Sequence, residues 1–370
     1  MATFLSKLFG HKSESVIGVD VGSSSIKIVQ LSRKGDRAAL DTYGELALGP
    51  YTNIEVGRAT NLPPEKIAEA LIDVIRESKT TATSAGLAIP FSSSLITAIE
   101  MPAAMQKQFP QMIPLEARKY IPVPISEVAL DWWVIPKPTN KAADFGDKAA
   151  QAAQTDKVDV LLVAIHNESL NKFQTIVNKA SLNTSFFEIE IFSSIRSVSA
   201  NDMTSEMIID LGAASTKVYI VEEGVIRSSH VINRGGQDVT SAMSKALGVD
   251  LQTAEVMKRD MAQVPLDRKS DAANVISITL DYIFAEAHQV MLAYQRKHNK
   301  DVPKAIMVGG GAMLKGILKY AEDRLQTKVL LGDPFGKTEA PAFLAEVLKT
   351  TGPEFAVAVG IALRKLAEMK

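Results

Sequence analysis

The chain contains no cysteine, which excludes a disulfide scaffold, cysteine-ligated zinc and thiolate chemistry, and is compatible with a reducing compartment. Neither sign of charge is in surplus: 41 Lys and Arg against 42 Asp and Glu leave a formal net charge of −1. A protein that coats nucleic acid needs a basic excess to neutralise phosphates, so that class is set aside. No apolar run approaches the roughly 18 residues that a membrane span requires. Residues 1–11 place Phe4, Leu5, Leu8 and Phe9 at helical spacing, with Lys7 and Lys12 nearby. They lack a cleavage site and a long apolar core, so they do not read as a signal peptide. They read either as a short amphipathic foot for a membrane or partner, or as a tail that packs locally. His11, His166, His230, His288 and His298 show no metal-ligand spacing and no Ser–His–Asp arrangement. What remains is ordinary globular composition, 46% hydrophobic and 22% charged, over a length of 370 residues that suggests two or three domains.

An internal repeat stands out. Residues 16–28 read VIGVDVGSSSIKI and residues 208–218 read IIDLGAASTKV. Superposing them aligns Asp20 with Asp210, Gly22 with Gly212, Ser25 with Ser215 and Lys27 with Lys217. Each segment is an apolar strand that ends in Asp, turns through glycine and small residues, and re-enters a β-rich run. In such a turn, Gly22, Ser23, Ser24 and Ser25, or Gly212, Ala213, Ala214, Ser215 and Thr216, offer successive backbone N–H groups as a nest for phosphate oxygens. Lys27 can neutralise phosphate charge, and Asp20 and Asp210 can hold a magnesium ion through its water shell. One such turn would be an ordinary hairpin; two copies in chain halves of similar size point to a ligand. A third glycine feature follows at 305–311, a short apolar strand ending in Gly309, Gly310 and Gly311. These are expected to open an amphipathic helix carrying Met313, Leu314, Ile317, Leu318, Ala321 and Leu325 on its apolar face. A helix N-terminus of that kind is an anion or nucleotide platform.

These three elements, in this order and spacing, resemble the actin-like ATPase superfamily. More narrowly, the chain is similar to the PilM family of type IV pilus assembly. The phrases that carry the likeness are GVDVGSSSIKIVQLS (18–32), IPLEARKYIPVPISEVALDW (113–132), GGQDVTSAM (235–243), AEVMK (254–258) and AVAVGIALR (356–364). The resemblance implies an α/β fold of two similar halves around a nucleotide cleft, with a small α+β insertion of the FtsA-like 1C type. The first half takes 14–84, 189–206 and the terminal helix 354–370; the insertion takes 85–188. The second half takes 207–240 and 301–353, with a helical subdomain at 241–300. Within the insertion, strands are expected at 86–89 and 95–100, a helix near 106–120 and strands at 127–135 and 158–165. The long loop 136–157 reads as a solvated flap. Trp132 and Trp133 are adjacent on a strand, so one faces inward and one outward.

The resemblance further implies ATP and Mg as cofactors, Lys258 as a contact to the adenosine, and Glu190 as the residue that positions water or metal. Family members commonly carry Glu-Pro here, and this chain has Ile191 in place of the proline. Hydrolysis is therefore expected to be slow or absent, with binding as the function. Lys217, the repeat partner of Lys27, is not expected to contact the ligand. The implied role is a cytoplasmic adaptor at the inner membrane's cytoplasmic face. It would recruit the cytoplasmic N-terminal tail of a PilN-like inner-membrane protein, in a groove between the first half and the insertion, and link the envelope complex to the pilus motor. Two other classes share the core: an FtsA-like filament, and a sugar-type kinase, which would need a dedicated base near the γ-phosphate.

Overall fold

The computed structural model describes residues 15–135, 157–200, 204–265, 267 and 269–369. The readings on residues 1–11 and on the 136–157 loop, save Lys157, fall outside them. In chain order the elements begin with β1 (Ser15–Val21), β2 (Ser25–Lys34), β3 (Arg37–Ala47), α1 (Pro64–Glu77), β4 (Ser84–Ile89), β5 (Ser94–Pro102), α2 (Phe109–Ala117), β6 (Val128–Val134) and β7 (Lys157–His166). Next come α3 (Asn167–Lys179), β8 (Asn183–Ile189), α4 (Glu190–Val198), β9 (Glu206–Leu211), β10 (Thr216–Glu222), β11 (Val225–Ile232), α5 (Gly236–Leu247), α6 (Leu251–Arg259) and α7 (Lys269–His298). The chain closes with β12 (Lys304–Val308), α8 (Ile317–Leu325), β13 (Lys328–Leu331), β14 (Thr338–Glu339), α9 (Ala345–Thr351) and α10 (Ala356–Glu368). Two compact units result, one of residues 1–90 and 172–370, the other of Phe91–Asn171.

The larger unit contains the repeat as architecture. One sheet runs β14-β3-β2-β1-β4-β8 and the other β11-β10-β9-β12-β13. Leaving β14 aside, the two have the same order: third, second, first, fourth and fifth strand of each half. In both, the first three strands form an antiparallel meander, and the last two run parallel to the first. The hairpin registers also repeat, with Asp20 opposite Lys27 and Asp210 opposite Lys217. β1, β4, β9 and β12 are buried almost throughout, as expected of strands covered on both faces.

The second sheet's core gathers Met207, Ile209, Val218, Ile220, Met243, Ile283, Phe284, Ala287 and Met307. The long α7 and the α5–α6 pair cover this face. Local signals place these helices: Asp250 accepts from Thr253 N–H at 2.7 Å as an N-cap, and Gly248 ends α5 in the left-handed conformation. The first sheet's core gathers Val16, Val29, Leu31, Phe335, Phe355, Ala358, Val359 and Ala362. Here α10 lies against β1 and α4 so closely that a Cβ on Gly360 would stand 1.9 Å from the Ser193 carbonyl oxygen. Glycine is what lets this helix seat.

The smaller unit is a three-stranded antiparallel sheet, β5-β7-β6, with α2 packed on it through Phe109, Ile113 and Ala117. Trp132 meets Phe109 edge to face at 5.9 Å, while Trp133 is 37% exposed. The strand expected at 86–89 is not in this sheet. It is β4, paired with β1 and β8 in the first large sheet. The reason is in its residues: the unbroken buried run Ala85–Ile89 suits a parallel strand covered on both faces, whereas β5 and β6 alternate.

Candidate functional site

The two hairpins face one cavity of about 330 Å³. Asp20 and Asp210 sit at the C-terminal ends of β1 and β9, and Gly309 follows the end of β12. Ligands in open α/β sheets gather at those ends. The turns are built alike: Gly22 N–H donates to the Ser25 carbonyl at 3.0 Å, and Gly212 N–H to the Ser215 carbonyl at 3.1 Å. The carbonyls of Ser23 and Ser24 accept from Thr60 and Leu48, neither of which lines the cavity. In the second turn, the Gly212 and Ala213 carbonyls accept from Gly236 and Gln237 N–H, tying the hairpin to the first turn of α5.

Most of the residues singled out in the sequence converge here. Asp20, Gly22, Ser23, Ser24, Ser25, Lys27, Glu190, Asp210, Gly212, Ala213, Lys258 and the glycines 309–311 all line the cavity. Ala214, Ser215 and Thr216 do not: Thr216 is fully buried and donates to the Arg234 carbonyl at 2.8 Å. Lys217, not expected at the site, does line it.

The third glycine feature differs from its expected form. Residues 310–313 make a single 3-10 turn, and α8 starts only at Ile317, after Gly316 adopts a left-handed conformation (φ 83°). Leu314 is extended (φ −61°, ψ 127°) and separates the two, so the glycines enter a turn rather than a helix. Gly309 is itself left-handed (φ 83°), and a Cβ there would stand 2.5 Å from Asp210 Oδ1. Only glycine lets β12 come this close to the second hairpin's aspartate.

Charge divides the cavity into two regions. At one end lie Asp20, Glu190 and Asp210, with Lys217 Nζ 3.2 Å from Glu190 Oε2 and 3.3 Å from Asp210 Oδ2. Burial, reinforced by the Glu190 charge, pushes Asp20 up to about 7. Burial alone would lower Lys217, but Asp210, Glu190 and Asp20 hold it well above its ordinary range. Three acidic side chains in a desolvated pocket, opposed by Lys217 and, at Asp20, by Lys27, suit a hydrated divalent cation. Among the described residues there is no group of three or more His, Asp or Glu that could hold a metal ion.

Lys27 adjoins that end through Asp20, its partner across the β1–β2 hairpin. Its Nζ donates to Ser25 Oγ at 2.7 Å and pairs with Glu45 at 2.9 Å, with Glu354 at 4.0 Å. Against the effect of burial, Glu45, Asp20 and Glu354 hold it charged above its ordinary value. At the other end, Lys258 Nζ donates to Glu255 Oε2 (2.5 Å), Thr240 Oγ1 (2.9 Å) and the Gly236 carbonyl (3.2 Å). Burial draws Lys258 below its usual value while Glu255 opposes it. Arg259 Nε pairs with the other Glu255 oxygen at 2.8 Å.

Sequence reading missed Glu45, Glu255, Arg259 and Glu354. Glu45 comes opposite Lys27 only through the β2–β3 register, which shifts between Gln30 and Leu31 and so cannot be counted from the turn. Glu255 lies three residues before Lys258, on the same helix face. Glu354, brought in by the segment before α10, had no local signal.

Three comparisons bear on this geometry. FtsA, the cell division protein of Neisseria meningitidis serogroup B, is 22% identical over 93% of this chain and 88% of its own length. A solved PilM–PilN type IV pilus biogenesis complex matches with a TM-score of 0.78 at 22% identity, over 95% of this chain and 98% of that one. MreB5 of Spiroplasma citri bound to AMPPNP matches with a TM-score of 0.52 at 11% identity, covering 95% of each chain. The chain therefore has the actin-like ATPase fold. The model of the family described as type IV pilus assembly protein PilM matches residues 18–366, and the chain belongs to that family.

Proposed function

We propose that the cavity binds ATP with Mg and that the chain acts as a nucleotide-dependent adaptor in type IV pilus assembly. The observation that carries the reading is the pair of matched hairpins, with identical strand register and turn hydrogen bonds, opposed across one cavity. The nest of each turn receives phosphate oxygens, Lys27 neutralises their charge, and Asp20 and Asp210 hold the waters of the cation. Glu255 and Lys258 frame the adenosine end. The MreB5 relative was solved with AMPPNP, which supports a nucleotide in the same cavity.

Hydrolysis is slow or absent in this reading. Glu190 is the candidate to activate water, and its carboxylate is held by Lys217. Binding then biases the two halves of the larger unit through differential contacts, as a population shift.

The partner is the cytoplasmic N-terminal tail of a PilN-like inner-membrane protein, and through it the envelope complex is linked to the pilus motor. Family membership supports this, as does the solved complex of PilM with PilN. No described helix is long and apolar enough to cross a membrane, so the partner supplies the attachment at the cytoplasmic face of the inner membrane. A pull-down from native membranes with and without MgATP, read by mass spectrometry, tests the adaptor role. Recovery of a bitopic pilus protein supports it. Failure to capture one, together with no binding of the synthetic tail peptide, returns the filament and kinase readings, which sedimentation with ATP and a coupled sugar assay separate.

A further inference from the structure

Between β3 and α1, residues 54–60 cross from the first sheet to the helices over the second and return. The base of this crossing is fixed on the first side. Ile54 N–H donates to the Gly49 carbonyl at 3.1 Å, and Tyr51 Oη donates to Asp73 Oδ2 on α1 at 2.5 Å. Its far end is fixed there too, because Thr60 donates to the Ser23 carbonyl through both its N–H (2.8 Å) and its hydroxyl (3.1 Å). Between these anchors the chain meets α6 and α5. A Cβ on Gly57 would stand 2.7 Å from Glu255 Cδ, so the backbone lies directly on the carboxylate that frames the adenosine end. Two residues on, Ala59 N–H donates to Gln237 Oε1 at 3.1 Å.

Gln237 is held in place by its own main chain, whose N–H donates to the Ala213 carbonyl at 3.0 Å. Consecutive N–H groups of the crossing therefore reach both phosphate turns. Thr60 bonds the first turn directly, and Ala59 reaches the second through Gln237. Gly57 lines the main cavity and also a second one of about 220 Å³, which Arg58, Gln237, Asp238 and Thr240 help to line. Val56 and Arg58, on either side of Gly57, are exposed. The crossing is thus a thin wall with the nucleotide cavity on one side. It has no helix or strand between Thr52 and Pro64, and a segment without a ladder of its own opens at low cost.

We propose that residues 57–60 are a strap over the adenosine end of the cavity and that Gln237 is its latch, a positioning residue that sets how fast nucleotide enters and leaves. The inference rests on the ATP reading of the cavity. An adenosine seated against Glu255 passes Gly57 on its way in or out, and the strap lifts when Ala59 gives up Gln237. The Gln237 side chain acts through the strap and touches neither phosphate nor base. One neutral hydrogen bond of ordinary net strength corresponds to about 3- to 10-fold in the rate of opening. Entry and exit cross the same barrier, so loss of the latch speeds both.

The test is stopped-flow fluorescence with N-methylanthraniloyl-ATP and Mg on the full-length protein, with a thermal melt of each variant. Mixing gives the association rate, and a chase with excess unlabelled MgATP gives the release rate. Gln237→Ala should release the nucleotide about 3- to 10-fold faster and bind it faster by a similar factor, leaving Kd within about twofold. Gln237→Asn, one carbon too short to reach Ala59, carries the same expectation and serves if the alanine variant does not fold. Gln237→Glu keeps the acceptor oxygen and should release the nucleotide no faster than the wild type. Wild-type release from a variant that melts normally overturns the inference and leaves the ATP reading standing. Faster release with unchanged association, so that Kd weakens in full, marks a structural loss or a direct contact to nucleotide and also overturns it. Release as fast from Gln237→Glu as from Gln237→Ala does the same. No saturable binding by the wild type removes the ATP reading and this inference together.

Discussion

The Lys217 ammonium stands 3.2 Å from the Glu190 carboxylate, joining the strand that leaves the second hairpin to the first residue of α4. Both side chains are mostly buried, at 16% and 9% exposed, so the pair is screened little by solvent. Purified protein without partners should therefore turn ATP over slowly. Glu190→Gln should change that rate little, because the carboxylate is already committed. Rapid phosphate release that Glu190→Gln abolishes would contradict this.

Removing the cation is a different matter. Lys217→Met leaves Asp20, Glu190 and Asp210 facing one another in a desolvated pocket. Breaking one side of a buried charge cluster typically costs about 3–5 kcal/mol. Urea denaturation of the nucleotide-free variant should show a loss of that order, and Mg should recover part of it by occupying the acidic end. A variant as stable as the wild type, with no response to Mg, would refute the description of that end.

Much of this site is legible in the sequence. The hairpins announce themselves because their information is local: an apolar strand followed by Asp, Gly, small residues and Lys within eight positions, written twice. The partners of the two lysines are not. Lys27 meets Glu45 through a neighbouring strand, but the repeat breaks there, since Val231 takes the corresponding place opposite Lys217. Lys217 instead finds Glu190, 27 residues upstream in the other half. No periodicity encodes such a meeting. The misplaced β4 has another cause. Its buried run adjoins the smaller unit in sequence, and only pairing with β1 shows which sheet it serves.

Glu188 fastens the C-terminal helix. It accepts two bonds from Arg196, at 2.6 and 2.7 Å, one from Arg364 at 2.8 Å and one from Ser193 at 2.6 Å. Burial alone would raise its pKa above the ordinary 4.5, but Arg196, Ser193 and Arg364 hold it below. A carboxylate depressed in the folded state adds stability that is present above its unfolded value and is lost as pH falls through the folded one. Glu188→Gln should cost about 2–4 kcal/mol at neutral pH, discounted because both arginines are about one-third exposed. The gap to the wild type should narrow below pH 4.5. A gap that stays constant from pH 7 to pH 3 would contradict the assignment.

Gly309 is the position where shape alone can be tested. Gly309→Ala forces a Cβ to within 2.5 Å of Asp210 Oδ1 at a φ of 83°. Strain and displacement together should lower stability by about 1–3 kcal/mol and weaken nucleotide binding by moving Asp210. Unchanged melting and unchanged ATP affinity would show that the strand end is more tolerant than this packing implies.

The central claim, that the two hairpins form one ATP site, is tested most directly by titrating MgATP into the wild type and Lys27→Ala in a calorimeter. Lys27 faces the cavity rather than the core, so the variant should fold, as circular dichroism and a melt can verify. The account predicts one saturable site in the wild type and an affinity at least about tenfold weaker in the variant, the loss of a charge-assisted phosphate contact. Equal affinities would remove Lys27 from the site, and absence of binding by the wild type would contradict the account itself.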